Sequence, residues 1–389
     1  MKQGWTYKKL GEVCEVISGQ SPEGKYYNSE GKGTPFYQGK KDFTSKYIGK
    51  PTVWTTEETK IAEKDDLLMS VRAPVGDVNF ATQRLCIGRG LAAIRSKDNL
   101  NKEYLFYFLL AIKDNIKGKE GVGFASINRK EIMDIDLKYP TSLPEQQRIV
   151  SRLDSAFAHI DELKANAEKQ VNEARALFQK ALSKAMEPKE GWEEKTLGEV
   201  CDIFGRIGFR GYTTKDLVHT PEEGAISLSP SNIQDGKMDY SKLTYISWFK
   251  YEESPEIKIF NGDILLVKTG SSYGKSALVQ YLPHEATINP QSVVLKNCKI
   301  NNEFFAYQLR TNRVLKEFDT FVSGTAIPTF SQAKLSTVSI LFPPLSEQQR
   351  IVSRLDALAK NVKALEENQR KVMAECDALK QALLRKVFE

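Results

Sequence analysis

The stretch EQQRIVSRLD occurs twice, as Glu145 to Asp154 and again as Glu347 to Asp356. Ten identical residues at an offset of 202 positions mark an internal duplication. Further matches flank them. GWTYKKLGEVCEV from Gly4 matches GWEEKTLGEVCDI from Gly191, an offset of 187. DDLLMSVRAPVGD from Asp65 matches GDILLVKTGSSYGK from Gly262, and GVGFASINRKEI from Gly121 matches SGTAIPTFSQAKL from Ser323. An aromatic–proline pair, Tyr139-Pro140 or Phe342-Pro343, precedes each copy of the decapeptide. The chain therefore consists of two like halves, about 4–190 and 191–389.

Each half ends differently from the way it begins. No Gly or Pro lies between Glu145 and Glu187. Apolar positions recur there in alternating steps of three and four: Val150, Leu153, Phe157, Ile160, Lys164, Ala167, Val171, Ala174, Phe178, Ala181, Ala185, with Lys164 the one break. The second copy runs Leu355, Leu358, Val362, Leu365, Gln369, Val372, Cys376, Leu379, Leu383. This period predicts two helices, each ~65 Å long at 1.5 Å per residue, that pair as a coiled coil. Pro144 is expected just ahead of the first helix and Ser346 at the N-cap of the second. In a duplicated chain, the expectation is an antiparallel, pseudo-two-fold coiled coil.

The segments 1–142 and 191–345 read as mixed α/β (α+β), and 143–190 and 346–389 as the long helices. Short apolar runs at Leu67–Val71, Leu91–Ile94, Ile264–Val267 and Ser292–Leu295 predict strands. Helices are expected near Lys102–Ile116 and Asn302–Phe318. Net charge is +6 overall, and +5, 0, −1 and +2 in the four segments. A mild basic excess permits nucleic-acid binding, and in the third segment any such face must be local. Five scattered cysteines and three scattered histidines fit neither a disulfide framework nor a metal site. Reduced thiols, with no signal peptide and no membrane-length apolar run, point to the cytoplasm.

Catalytic signatures are missing. GSSYGKS, Gly270 to Ser276, is one residue short of a phosphate-binding P-loop, and ALVQY after it reads as a strand rather than a helix. NPQS at Asn289 lacks the second proline and the aromatic of a base-methyltransferase motif. What remains is polar and basic side chains on loops, the types that pair with phosphates and base edges. In the first half these are Gln38, Lys40, Lys41, Arg72, Ser126 and Asn128. In the second they are Arg206, Arg210, Ser229, Asn232, Lys268, Ser271, Ser272 and Lys275.

Together these stretches resemble the specificity subunit of type I restriction–modification enzymes. The resemblance covers essentially the whole chain: recognition domain, long helix, recognition domain, long helix. It implies a non-catalytic subunit in which each domain reads one half of a bipartite double-stranded DNA site and the helices set the spacing. It also implies that the helices dock two modification subunits, with restriction subunits as further partners and no membrane. S-adenosylmethionine, ATP and Mg would belong to those partners, leaving no cofactor on this chain. Gln146, Gln147, Arg148 and Arg152, with their counterparts Gln348, Gln349, Arg350 and Arg354, are expected to be exposed and to bind the partner. The alternatives are a stand-alone DNA-binding regulator, which would need no methyltransferase partner, and a P-loop nucleotide hydrolase, which would need Lys275.

Overall fold

The computed structural model describes residues 4–97, 99–116, 119–120, 125–321 and 328–388. The chain divides into two units, one of Met1–Glu168 with Gln369–Glu389, the other of Lys169–Asn368. Each unit thus holds one globular domain, the start of the long helix that follows it, and the end of the other long helix.

In the first unit, four antiparallel strands run in the order Cys14–Ser18, Leu91–Ser96, Leu67–Ser70, Val78–Phe80. A second sheet is built on the parallel pair Thr34–Tyr37 and Leu85–Ile87. Strands Trp5–Lys9 and Asp136–Pro140 pair with each other, so the two ends of the domain leave side by side. The helix Lys102–Ile112 is capped by Asn101, whose side chain accepts from the backbone N–H of Glu103 and Tyr104. This helix packs Tyr104, Leu105, Phe106 and Leu109 into the main core.

The second unit repeats the plan. Strands Asp202–Gly205, Ser292–Lys296, Ile264–Val267 and Ser276–Leu278 stand in the same order. Gly224–Leu228 runs parallel to Ala286–Ile288, and Glu193–Thr196 closes on Ser339–Phe342. The helix expected over Asn302–Phe318 is two helices, Asn302–Gln308 and Asn312–Phe321. Thr311 makes the break: its hydroxyl donates to the Gln308 carbonyl at 2.7 Å, which ends one helix, and accepts from the Val314 N–H at 3.5 Å, which starts the next. The echoes at Gly121 and Ser323 lie partly outside the described residues.

The long helices run Leu143–Ala185 and Leu345–Phe388. Both begin earlier than expected, so Pro144 and Ser346 sit inside the first turn. Proline is accommodated there because the first N–H groups lack intrahelical partners anyway. In the first unit the two helices pack antiparallel: Lys164 pairs with Asp377 at 2.8 Å, and Asp161 pairs with Lys380. In the second, Arg175 pairs with Glu366 at 2.6 Å.

The apolar seam departs from strict alternation near each C-terminus. Val372 and Leu379 are exposed, whereas Leu384 and Phe388 are buried. In the first helix Leu182 and Met186 are the buried positions, rather than Ala181 and Ala185. A second consecutive step of four rotates the stripe. Each helix end thereby turns its large side chains from the neighbouring helix onto a globular core. Phe388 meets the rings of Tyr104 and Phe108, and Leu182 and Met186 join the core around Phe304 and Phe305. Burial of one such side chain contributes about 1.5–3 kcal/mol.

The repeated decapeptide buries one face and exposes the other: Gln146, Ile149, Val150 and Leu153 are inside, as are Gln348, Ile351, Val352 and Leu355. Gln146 is fully buried: its Oε1 accepts from the Asn101 N–H at 2.7 Å, and its Nε2 donates to the carbonyls of Pro140 and Asn99 at 2.8 and 3.1 Å. Gln348 does the same for the Asn301 N–H at 2.9 Å and the Pro343 carbonyl at 2.8 Å. Tyr107 donates to Asp154, and Tyr307 to Asp356, each at 2.6 Å. Burial, reinforced by that carboxylate, pushes both phenols above their usual range. Truncation of Gln146 to alanine would leave three backbone groups without this partner, one buried and two partly buried. Q146A is therefore expected to cost about 3 kcal/mol and to lower the melting temperature by about 6–12 °C. An unchanged calorimetric transition would show that the amide is dispensable.

Candidate nucleic-acid interface

In each unit one cluster of loops carries the exposed polar side chains, and the backbone builds it the same way twice. In the first unit, strand Leu67–Ser70 turns through Val71–Gly76 and returns as Val78–Phe80. The Ser70 N–H donates to the Asp77 carbonyl at 2.8 Å and the Gly76 N–H to the Ser70 carbonyl at 2.9 Å. Gly76 sits at φ +92°, a conformation a side chain disfavours. From inside, the Ser70 hydroxyl lies 3.0 Å from the carbonyls of both Arg72 and Pro74. The turn is fastened to its neighbours. The Val71 N–H reaches the Gly90 carbonyl, the Gly90 N–H the Gln38 carbonyl, and the Ile127 N–H the Val71 carbonyl, at 3.0, 3.2 and 3.1 Å. Arg72 also pairs with Ser126 across a single antiparallel bridge. Gln38, Lys41, Arg72 and Ser126 thus come together, all exposed.

Two glycines make this crossing possible. A Cβ on Gly88 would lie 2.8 Å from Gln38 Oε1, and one on Gly90 2.5 Å from the Gln38 carbonyl oxygen. Between them Arg89 stands exposed, with no side-chain partner among the described residues. The sequence reading missed Arg89, although an arginine flanked by two glycines that follow a strand was a usable signal.

The second unit matches this joint by joint. Val267 N–H donates to the Lys275 carbonyl at 2.8 Å, and Gly274, at φ +81°, closes back on Val267 at 2.9 Å. The Lys268 N–H meets the Gln291 carbonyl at 2.8 Å, and the Phe330 N–H meets the Lys268 carbonyl at 3.2 Å. Thr269 bridges to Thr329 as Arg72 does to Ser126. Ser229 occupies the place of Gln38, since the Leu228 and Tyr37 carbonyls accept equivalent bonds from Asn289 and Gly88. Lys268, Ser271, Ser272 and Lys275 therefore share one turn. Burial lowers the pKa of Lys268, which forms no ion pair among the described residues. GSSYGKS is a strand–turn–strand loop, followed by the strand Ser276–Leu278. With no helix after it, it lacks the N-terminal amides a P-loop uses for phosphate.

Several expected contact residues are instead part of the scaffold. Arg206 is buried: it donates to the Ile288 carbonyl and Thr287 Oγ1, and its guanidinium lies 5.2 Å from the Tyr212 ring centre. Asn232 is buried and holds the Ser229 N–H and the carbonyls of Asp239 and Lys242. Arg210 pairs with Glu256 at 3.3 Å. Asn128 caps the short helix Arg129–Met133, accepting from the Glu131 N–H. Lys40 is half-buried and paired with Asp77. Burial alone would raise the Asp77 pKa, but Lys113 and Lys40 hold the carboxyl below its ordinary value. A side chain that satisfies buried groups, as Arg206 and Asn232 do, is not available to a ligand, whereas Asn128 is exposed.

The long-helix residues also divide. Gln146 and Gln348 are buried, contrary to the expected exposure, because each caps a buried helix start. Gln147 accepts from Asn101 Nδ2 at 2.9 Å. Arg148 and Arg350 pair within their own helices with Glu145 and Glu347, each at 2.6 Å. Gln349, Arg152 and Arg354 are exposed, and the two arginines make no side-chain hydrogen bond or ion pair among the described residues. Among the described residues no cluster of His, Cys, Asp and Glu could hold a metal ion, and no helix is long and apolar enough to cross a membrane.

The model of the type I restriction modification DNA specificity domain matches this chain twice, over residues 2–173 and 189–374. The putative type I restriction enzyme MjaX specificity subunit of Methanocaldococcus jannaschii is 40% identical over 177 residues, which is 44% of this chain and 41% of that protein. The type I restriction enzyme MjaIX specificity subunit of the same organism is 24% identical over 98% of this chain and 92% of its own length. Among solved structures, a chain from work on complex assembly and conformational transition of the type I R-M system superposes with a TM-score of 0.76, at 20% identity over 100% of this chain and 98% of that one. The HsdS subunit from Thermoanaerobacter tengcongensis superposes at 0.54, also at 20% identity, over 100% and 97%.

Proposed function

Because this chain belongs to the type I restriction–modification DNA specificity family and carries two copies of its recognition domain, we propose that it is the non-catalytic, DNA-reading subunit of a type I restriction–modification complex. Each domain reads one half of a bipartite double-stranded site through its loop cluster. The long helices set the gap between the halves and dock two modification subunits, with restriction subunits as further partners. S-adenosylmethionine, ATP and Mg enter with those partners, in the cytoplasm. One observation supports this most: the same backbone joints are built twice and carry different side chains, Gln38, Lys41 and Arg72 in one unit, Ser229, Lys268 and Lys275 in the other. Mapping methylated bases in cells that make this chain with a modification subunit tests the reading. A bipartite consensus is expected, and methylation without sequence preference would overturn it.

Two narrower results are expected. R72A and K275A should each weaken DNA binding by the assembled complex and flatten its dependence on log salt by about one, the loss of one phosphate contact. If the double variant keeps the parent affinity and slope, these turns do not face DNA. Replacing both Arg152 and Arg354 by glutamate should weaken co-purification of the modification subunit by roughly tenfold or more. The melting temperature should hold, since neither side chain makes an internal bond. Full assembly of that variant would place the docking surface elsewhere.

A further inference from the structure

In the first unit Cys14 stands directly opposite Ser96 on paired antiparallel strands, and the next joint is Lys97 N–H to the Val13 carbonyl at 3.0 Å. The second unit has the same joint, Lys299 N–H to the Val200 carbonyl at 2.8 Å, and the last ladder pair before it is Asp202 with Lys296. Between these joints one strand contributes only Cys201, the other Asn297 and Cys298. Asn297, at φ +50°, is the extra residue of a bulge, and its side chain bonds Asp202 at 2.7 Å. The bulge restores register, so that Cys298 faces Cys201 where Ser96 faces Cys14. Neither cysteine is in a disulfide, and Cys201 is buried while Cys298 is half-exposed.

We propose that Cys201 and Cys298 form a modification site, a dithiol that hydrogen peroxide oxidises to a disulfide. The division of labour follows from exposure. The Cys298 thiolate attacks the peroxide oxygen, breaking the O–O bond and forming a sulfenic acid, with hydroxide leaving. The Cys201 sulfur then displaces the sulfenic hydroxyl, which leaves as water with the Cys201 proton, and the S–S bond forms. Two thiols are oxidised, and one peroxide is reduced to two waters.

The surroundings favour these roles. The Cys201 S–H donates to the Leu197 carbonyl at 3.3 Å, and the Cys298 sulfur lies beside it across the bulge. The neighbouring Cys298 sulfur, together with burial, holds the Cys201 thiol well above its ordinary pKa. The Cys201 thiol beside it favours negative charge on Cys298 and lowers its pKa. A thiolate reached by solvent and a buried thiol beside it suit attack and resolution. Cys14 provides the internal contrast, because burial pushes its pKa up to about 12 and serine faces it.

The test treats the full-length chain with hydrogen peroxide, alkylates the remaining thiols and maps the peptides. Cys298 should react at least about tenfold faster than Cys14. The product should be 2 Da lighter through an intramolecular link between the Cys201 and Cys298 peptides, reversible by dithiothreitol. C298S should abolish the link, and it should fold, because serine already occupies the equivalent place in the first unit. In C201S, Cys298 should remain as a sulfenic acid that dimedone traps. If Cys298 stays alkylatable while Cys14 oxidises as fast, or the only links join separate molecules, the site is not a dithiol switch.

Discussion

A chimera carrying another family member's first domain in place of residues 1–142 is expected to recognise a site changed in one half only. Three features make the exchange feasible. Strands Trp5–Lys9 and Asp136–Pro140 pair along their length, so both splice points lie side by side. The loops proposed to read DNA are held by bonds inside the domain. Beside apolar packing and the Lys46 bond to Asp154, the side-chain link to the long helix is an asparagine cap and a tyrosine six residues on, Asn101 with Tyr107 or Asn301 with Tyr307. Donors with that spacing should give a stable chimera. Donors without it should fold poorly, since Asp154 would lose its phenol. Methylome mapping gives the answer, and alteration of both half-sites would dismantle the two-module reading.

The second large effect concerns spacing. Antiparallel pairing sets Lys164 on Asp377 and Asp161 on Lys380, which places Ala167 level with Ala374. One heptad inserted after Ala167 and another before Ala374 lengthens both helices at the same level while preserving the seam. Each gains ~10 Å at 1.5 Å per residue, and B-DNA rises ~3.4 Å per base pair. The preferred gap should widen by about three base pairs, and modification of the original site should be lost. Three pairs also rotate the groove by roughly a third of a turn, given ~10.5 pairs per turn. Affinity should therefore fall even on the best new site. A doubly extended protein that folds, methylates and keeps the original gap would show that the helices are not the ruler.

Much of this architecture was legible in the sequence because duplication and period are long-range patterns. Strands at Leu67, Leu91, Ile264 and Ser292 stood out as short apolar runs, and they fall where expected. The SVRAPVGD and VKTGSSYGK loops correspond in sequence, and their hydrogen bonds match too. What failed was the fate of single polar side chains. Arg206 and Asn232 have the composition of DNA contacts, yet each folds back onto carbonyl groups that strand crossings leave inside. Gln146 looked like surface because amides usually are, and nothing local reveals the buried helix start it caps. Strict alternation predicts the seam past Gln369 wrongly, because the pull of a globular core on Leu384 and Phe388 is a tertiary effect.

The buried glutamine at the start of each long helix has a consequence for how such a protein can change over generations. Every bond it makes to the domain is to main chain: the N–H of residue 101 or 301, and the carbonyls of 99, 140 or 343. Main-chain groups are offered by nearly any sequence. This set of bonds therefore tolerates side-chain change on the domain side and is exacting on the helix side, in contrast to the tyrosine that bonds Asp154 or Asp356. Selection can hold ten residues fixed in both copies while the domains they carry drift apart, and new specificities can be tried without rebuilding the mount.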